Sequence, residues 1–215
     1  MAKLQTYDEC PQKYKLCYID RVHIVESLRT QQNSQTGNNL HNVINYYLKG
    51  MDVTKLLTAL HKDEMLLWHN FKTSEIKNYT IKASEFAFNV KIDEHWLTGR
   101  IDALFEYDEN YIILDWKTGV NFRSENAKFQ TSFYLLCMYE ILKAKELIKA
   151  PEQLSLHYMN LQTNSTIKLP FDRDLYLQYK SNILDIINSI NNKQNFYCNR
   201  TEKCPKCKYY RACPF

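Results

Sequence analysis

The spacing of apolar positions changes several times along the chain, and each change marks an element. Leu40, Val43, Ile44, Tyr47 and Leu48 recur at i, i+3, i+4, i+7 and i+8. That is the stripe of an amphipathic helix, and it predicts a helix over 36–50, opened by Thr36 or Gly37. His41 lies one position off the stripe, near the N-terminal end. Residues 52–73 read as further helix, with Leu56, Leu57, Leu60, Leu66, Leu67 and Trp68. The period then falls to two: Phe86, Phe88, Val90 and Ile92 alternate with polar neighbours, as on a half-buried strand. Asp93-Glu94 turns the chain, and residues 95–106 and 111–117 complete a three-strand meander with Glu85 near its start. Phe129, Phe133, Leu136, Leu142 and Leu147 predict a long helix over 124–149, ended by Pro151. Residues 153–161 and 166–169 read as a strand pair joined at Thr163-Asn164-Ser165. Asp172 caps a last helix over 172–191, with Leu175, Tyr179, Ile183, Ile187 and Ile190 on one side. Residues 4–20 form a short entry helix around Cys10-Pro11.

Helices, strands, helix, strands, helix and a tail describe an α/β or α+β domain around a mixed sheet. The 215 residues suffice for one substantial core, and no stretch is long enough to serve as a linker. The expectation is a single domain over 1–215, to which 1–20 and 195–215 add a metal-pinned appendage. No internal repeat is visible. Net charge is +4, and the segment from Arg200 to Phe215 carries that same +4 through five basic side chains against Glu202. A basic tail suits an anionic partner such as nucleic acid, although charge alone is equally consistent with a solvated tail. The N-terminus lacks an apolar leader, and no apolar run of ~18 residues could span a bilayer. These features predict a soluble cytoplasmic protein with no membrane engagement. In a reducing compartment, clustering among the seven cysteines favours metal binding over disulfides.

The candidate chemistry lies in Gly99-Arg100-Ile101-Asp102, followed after twelve residues by Asp115-Trp116-Lys117. Two strands meeting at a turn around Asp108-Glu109 set Asp102 directly opposite Asp115. Side chains alternate along a strand, so Asp115 and Lys117 project from one side. Two acids and a lysine in one small volume suit a hard divalent cation and a water to be activated. The Trp116 carbonyl, between the two side chains, is available to the same cation. Lys117 can orient or deprotonate the water, or stabilise charge on the phosphate. A solvent-facing hairpin with a surface Asp–Lys pair is the bland alternative. Gln130 and Tyr134 share one helix face at i and i+4, where an amide and a phenol could meet the same strand of nucleic acid.

In chain order, Gly37…His41, Gly99…Asp102, Asp115…Lys117 and Gln130…Tyr134 resemble the motif series of the RecB-like branch of the PD-(D/E)XK nuclease superfamily. The resemblance implies a restriction-endonuclease-like α/β core, a mixed central sheet flanked by helices. It implies Mg²⁺ or Mn²⁺ held by His41, Asp102, Asp115 and the Trp116 carbonyl, with Lys117 the catalytic lysine beside Asp102 and Asp115. Gln130 and Tyr134 would position the nucleic acid, and Glu85, on the preceding strand, is a less defined candidate for that task. Asp115 stands where the family often has Glu.

At the C-terminus, Cys204-x2-Cys207-x5-Cys213 supplies three thiolates at close range, and a closed site needs a fourth. Cys10, in Tyr7-Asp8-Glu9-Cys10-Pro11-Gln12-Lys13-Tyr14, resembles the opening of the iron–sulfur members of the family. The resemblance therefore implies a [4Fe–4S] cluster on Cys10, Cys204, Cys207 and Cys213, stapling the two termini together. Zn²⁺ is the alternative metal, and Cys17 and Cys198 are the spare ligands. Cys137, mid-helix, reads as a buried small hydrophobe.

Size and terminal cysteines look most like the CRISPR-associated RecB-like exonuclease family. That resemblance implies a metal-dependent DNA exonuclease acting on single-stranded DNA or duplex ends, with CRISPR adaptation proteins or a helicase as candidate partners. The chain carries no Gly-x4-Gly-Lys-[Ser/Thr], so unwinding would have to come from elsewhere. A stand-alone RecB-like nuclease of repair or recombination would have the same site. A non-catalytic nucleic-acid-binding module and a zinc-stapled structural protein are the rivals from other classes.

Overall fold

A computed structural model describes residues 1–24, 39–119, 127–192 and 196–214. The chain divides into two compact units, Leu28–Tyr176 and a terminal unit made of Met1–Ser27 with Leu177–Phe215.

The central unit is built on a five-stranded sheet in the order β1-β2-β3-β4-β5. Its strands are β1 (Thr80–Ile92), β2 (His95–Tyr107), β3 (Asn110–Lys117), β4 (Leu154–Asn160) and β5 (Ser165–Pro170). β1, β2 and β3 form the antiparallel meander, β3 and β4 are parallel, and β4 and β5 are antiparallel. The mixed sheet follows from loop length. A two-residue turn can only reverse the chain, whereas parallel pairing needs a crossover. Asp108 and Glu109 both adopt left-handed backbone, φ 50° and 59°, which marks the tight hairpin turn that matches strand twist. That turn fixes the β2–β3 register at Tyr107↔Asn110 through Ala103↔Leu114.

The crossover between β3 and β4 runs through α6 (Lys128–Ala144), which packs on β1, β2 and β4. Against the sheet, a helix over 39–48 and α5 (Lys62–Thr73) build the main core. Leu40, Val43 and Ile44 from the first and Leu67, Trp68 and Phe71 from the second meet Ala103, Phe105, Ile112, Leu114 and Trp116. We number the remaining helices α1 (Ala2–Glu9), α2 (Pro11–Tyr14), α3 (the helix over 39–48), α4 (Thr54–Leu57) and α7 (Arg173–Asn191).

The expected helix over 52–73 is divided. Asp52 Oδ1 accepts from the Thr54 backbone N–H at 2.9 Å and opens the short α4. The His61 N–H donates to Glu64 Oε2 at 2.8 Å and opens α5. Side chains that bond to nearby backbone compete with continuous helix, and here each fixes a new start. α6 also stops at Ala144, short of Pro151, because Glu146 turns left-handed at φ 58°. Pro151 instead opens a 3₁₀ turn, Pro151–Gln153. The predicted start of the first helix, Thr36 or Gly37, lies outside the described residues, as do 124–126. Asp172 does cap α7, accepting from the Leu175 N–H at 2.8 Å.

In the terminal unit, α1 and α2 break at Cys10-Pro11 and are followed by a π-helical turn, Lys15–Ile19. The Gln12 N–H donates to the Tyr197 carbonyl at 3.0 Å, and Asn199 Nδ2 to the Glu9 carbonyl at 2.7 Å. Phe196 stacks on Tyr14 and meets Tyr7 edge-on. Cys137, on α6, is fully buried as a small hydrophobe.

Gly99 is required by packing. A Cβ there would lie 2.5 Å from Phe88 Cζ and 3.0 Å from Phe133 Cε1. Gly99→Ala is expected to cost about 1–3 kcal/mol through overpacking. Urea unfolding should show a lower midpoint with an unchanged slope.

Candidate active site

The hairpin register carries the site. Asp102 falls one position beyond the last β2–β3 pair, Ala103↔Leu114, and so stands across from Asp115. The Trp116 N–H donates to Asp102 Oδ2 at 3.2 Å, tying the two strands at that point. On the other side, Glu85 of β1 falls opposite Asp102, between the pairs Ser84↔Ala103 and Phe86↔Ile101. Three acids thus form a row across three strands. Glu85 itself has φ 47°, a left-handed backbone that is strained for a side-chain-bearing residue inside a strand.

His41 enters this row from α3. Its Nδ1 is 3.8 Å from Asp102 Oδ2 and 4.0 Å from Glu85 Oε1. The ring also bonds the Trp116 backbone, whose only acceptor is its carbonyl. One donor atom each from His41, Glu85 and Asp102 lie within 4.8 Å of one another. A small divalent cation such as Mg²⁺, with ligands at about 2.0–2.1 Å, could be held by this set once the donors draw in slightly.

Asp115 is 3% exposed and faces the other partners. Lys117 Nζ is 2.5 Å from its Oδ1, and Gln130 Nε2 donates to its Oδ2 at 3.2 Å. Lys117 also donates to Gln130 Oε1 at 3.2 Å, and Gln130 Nε2 to the Tyr134 hydroxyl at 3.1 Å. Gln130 therefore links the lysine, the buried acid and the phenol from one face of α6.

A family model described as the PD-(D/E)XK nuclease superfamily matches residues 1–214. The chain belongs to the PD-(D/E)XK nuclease superfamily. No curated protein matches the sequence. Among solved structures, the nuclease is similar to a candidate exonuclease from Eubacterium rectale, at 10% identity and a TM-score of 0.55, covering 94% of this chain and 86% of that one. A second, SSO0001, is 16% identical with a TM-score of 0.42, too low to bear on the fold, and covers 82% of this chain and 83% of that one.

Electrostatics in the nuclease follow from burial. Desolvation and the neighbouring Asp115 raise the Asp102 carboxyl well above the usual range, and desolvation raises Asp115 against the pull of Lys117. His41 is pushed down to about 4 by desolvation and the Lys117 charge, which leaves a neutral imidazole with a free lone pair at neutral pH. Desolvation likewise raises the Tyr134 phenol. Neutral imidazole beside crowded, desolvated carboxylates is a donor set that gains by taking up a divalent cation.

Of the sequence-predicted residues, His41, Asp102, Asp115, Lys117, Gln130, Tyr134 and the Trp116 backbone are drawn together. Gly37 lies outside the described residues. Glu85 stands among the cation-capable donors rather than on the Gln130–Tyr134 side. Arg100 had no assignment, yet its Nε is 3.0 Å from Glu85 Oε2. Its place two residues before Asp102, on the same side of the strand, was the available signal.

In the terminal unit, Cys10, Cys198, Cys204, Cys207 and Cys213 line one cavity of about 630 Å³. Cys17 borders a different one, with Lys3, Tyr18 and Arg21. The Thr201 N–H donates to Cys204 Sγ at 3.3 Å. Among the described residues, no helix is long and apolar enough to cross a membrane.

A raised carboxyl pKa means the fold is stabilised as pH falls through it and carries a penalty above it. Asp102→Asn should therefore raise stability at pH 7 in EDTA by roughly 0.5–2 kcal/mol. Added Mn²⁺ should raise the wild-type melting temperature and leave that of the variant nearly unmoved.

Proposed function

We propose that this nuclease is a DNA exonuclease of the RecB-like branch, hydrolysing phosphodiester bonds in single-stranded DNA or at DNA ends with Mg²⁺ or Mn²⁺. The observation that carries this reading is the convergence of His41, Glu85 and Asp102 beside the Asp115–Lys117–Gln130 cluster. The Eubacterium rectale neighbour, a candidate exonuclease, supports it.

His41, Glu85, Asp102 and the Trp116 carbonyl are the groups we assign to the cation, with Asp115 completing the acidic wall. When bound, the cation polarises the phosphate and lowers the pKa of an attacking water. Asp115 and Gln130 hold the Lys117 ammonium in a fixed orientation. From there it orients the water and neutralises charge developing on the phosphate. Tyr134, tied to Gln130, places a phenol beside the DNA strand. These groups are set before substrate arrives, so little reorganisation is left for the reaction itself.

We assign a [4Fe–4S] cluster to Cys10, Cys204, Cys207 and Cys213, supported by their sharing one cavity. Cys198 lines the same cavity and is the alternate fourth ligand, and Zn²⁺ is the alternate metal. The pairing of this cysteine pattern with a small nuclease core suggests CRISPR spacer acquisition, and stand-alone repair or recombination is the second setting.

End-labelled single-stranded and duplex DNA, incubated with Mn²⁺, Mg²⁺ or EDTA, test the catalytic reading. Lys117→Ala should lose about a hundredfold or more of the metal-dependent cleavage while still binding DNA. A wild-type protein that binds but never cuts, purified anaerobically, would replace this reading with a nucleic-acid-binding module. The cluster is tested by colour. The anaerobic protein should be brown and Cys207→Ser pale, whereas a colourless wild type points to zinc.

A further inference from the structure

Arg100 has no part in the machinery above, yet it is paired with one of its acids. Its Nε stands 3.0 Å from Glu85 Oε2, while the other carboxylate oxygen, Oε1, faces His41 at 4.0 Å. The pair is lopsided, since the Arg100 side chain is 68% exposed and that of Glu85 19%. Glu85, largely buried in the row of acids, has less room to move than its exposed partner. Arg100 has a long stem and an open solvent side.

A guanidinium and a divalent cation sharing one carboxylate repel each other, and the exposed, flexible one is the one that gives way. A guanidinium released there has five donors in a planar fork, which matches two oxygens of a phosphate. We infer that Arg100 is a placeholder for the catalytic cation: it neutralises Glu85 in the cation-free protein and, when the cation takes Glu85, turns to clamp a phosphate of the bound DNA strand. This inference rests on the divalent-cation nuclease reading.

The test is Mn²⁺ titration of the intact protein by calorimetry without DNA, followed by cleavage kinetics. Arg100→Ala removes the competitor and should bind Mn²⁺ about two- to fivefold tighter, the scale of an exposed ion pair. Arg100→Lys keeps a competing charge and should bind Mn²⁺ like wild type. Both variants lose the fork and should fall roughly tenfold or more in kcat/KM. Tighter metal binding joined to slower cleavage is a pattern that a merely structural arginine would not give. Melting in EDTA checks that both variants are folded. Arg100→Ala binding Mn²⁺ no tighter than wild type, or cleaving at the wild-type kcat/KM, overturns the placeholder role while leaving the nuclease reading intact. A wild type that neither takes up Mn²⁺ nor cleaves removes both.

Discussion

Two carboxylates held side by side, one buried and one half-buried, set the terms for everything around them. Asp102 and Asp115 face each other across one hairpin, and burial raises both pKa values. Neither could remain ionised there without compensation, because charge in a low-dielectric interior is costly. The surroundings divide that task. Lys117 and Gln130 answer Asp115, whereas Asp102 has the Trp116 N–H and a neutral His41. Donor atoms of His41, Glu85 and Asp102 converge on the side away from Lys117, where Arg100 is the cationic neighbour.

The scaffold delivers this arrangement through three separate devices. A two-residue turn with two left-handed residues fixes the β2–β3 register and hence the pairing of the acids. The crossover from β3 to β4 brings α6 back over the sheet, so Gln130 and Tyr134 reach the strand that has just supplied Asp115 and Lys117. The helix over 39–48 is pinned by Leu40, Val43 and Ile44 in the core, and that burial presents His41, one position off the stripe, to the acids. A strained residue completes the set. Glu85 keeps a backbone that costs about 1 kcal/mol or more, which the surrounding strands must hold in place.

The terminal unit follows a different logic. Short helices, 3₁₀ turns and a basic, cysteine-rich tail share this unit with most of α7, whose Ile183 and Ile187 are buried. Ring contacts among Tyr7, Tyr14 and Phe196 and hydrogen bonds from Gln12 and Asn199 join its two ends. Five cysteines line one cavity in this unit.

Much of the site was legible in the chain because its key features are local. The turn at Asp108-Glu109 sets which acids face each other, alternation puts Lys117 beside Asp115, and i, i+4 spacing puts Tyr134 beside Gln130. Asp172 announced the start of α7 for the same reason, its side chain bonding three residues ahead. Where neighbouring caps competed with a long apolar pattern, periodicity misled: α4 and α5 read as one helix, and α6 read as running on to residue 149. Alternation puts Arg100 on the Asp102 side of β2, but its pairing with Glu85 could not be read from neighbouring positions. Their meaning comes from a left-handed residue inside a strand and from an ion pair across two strands, and both exist only once β1 lies against β2. The sequence by itself determined the hairpin acids, the lysine and the elements that carry them, because those depend on contacts within a few residues. Only the tertiary structure decided which donors share one cation-sized space and which cysteines share one cavity, because those depend on how distant segments pack.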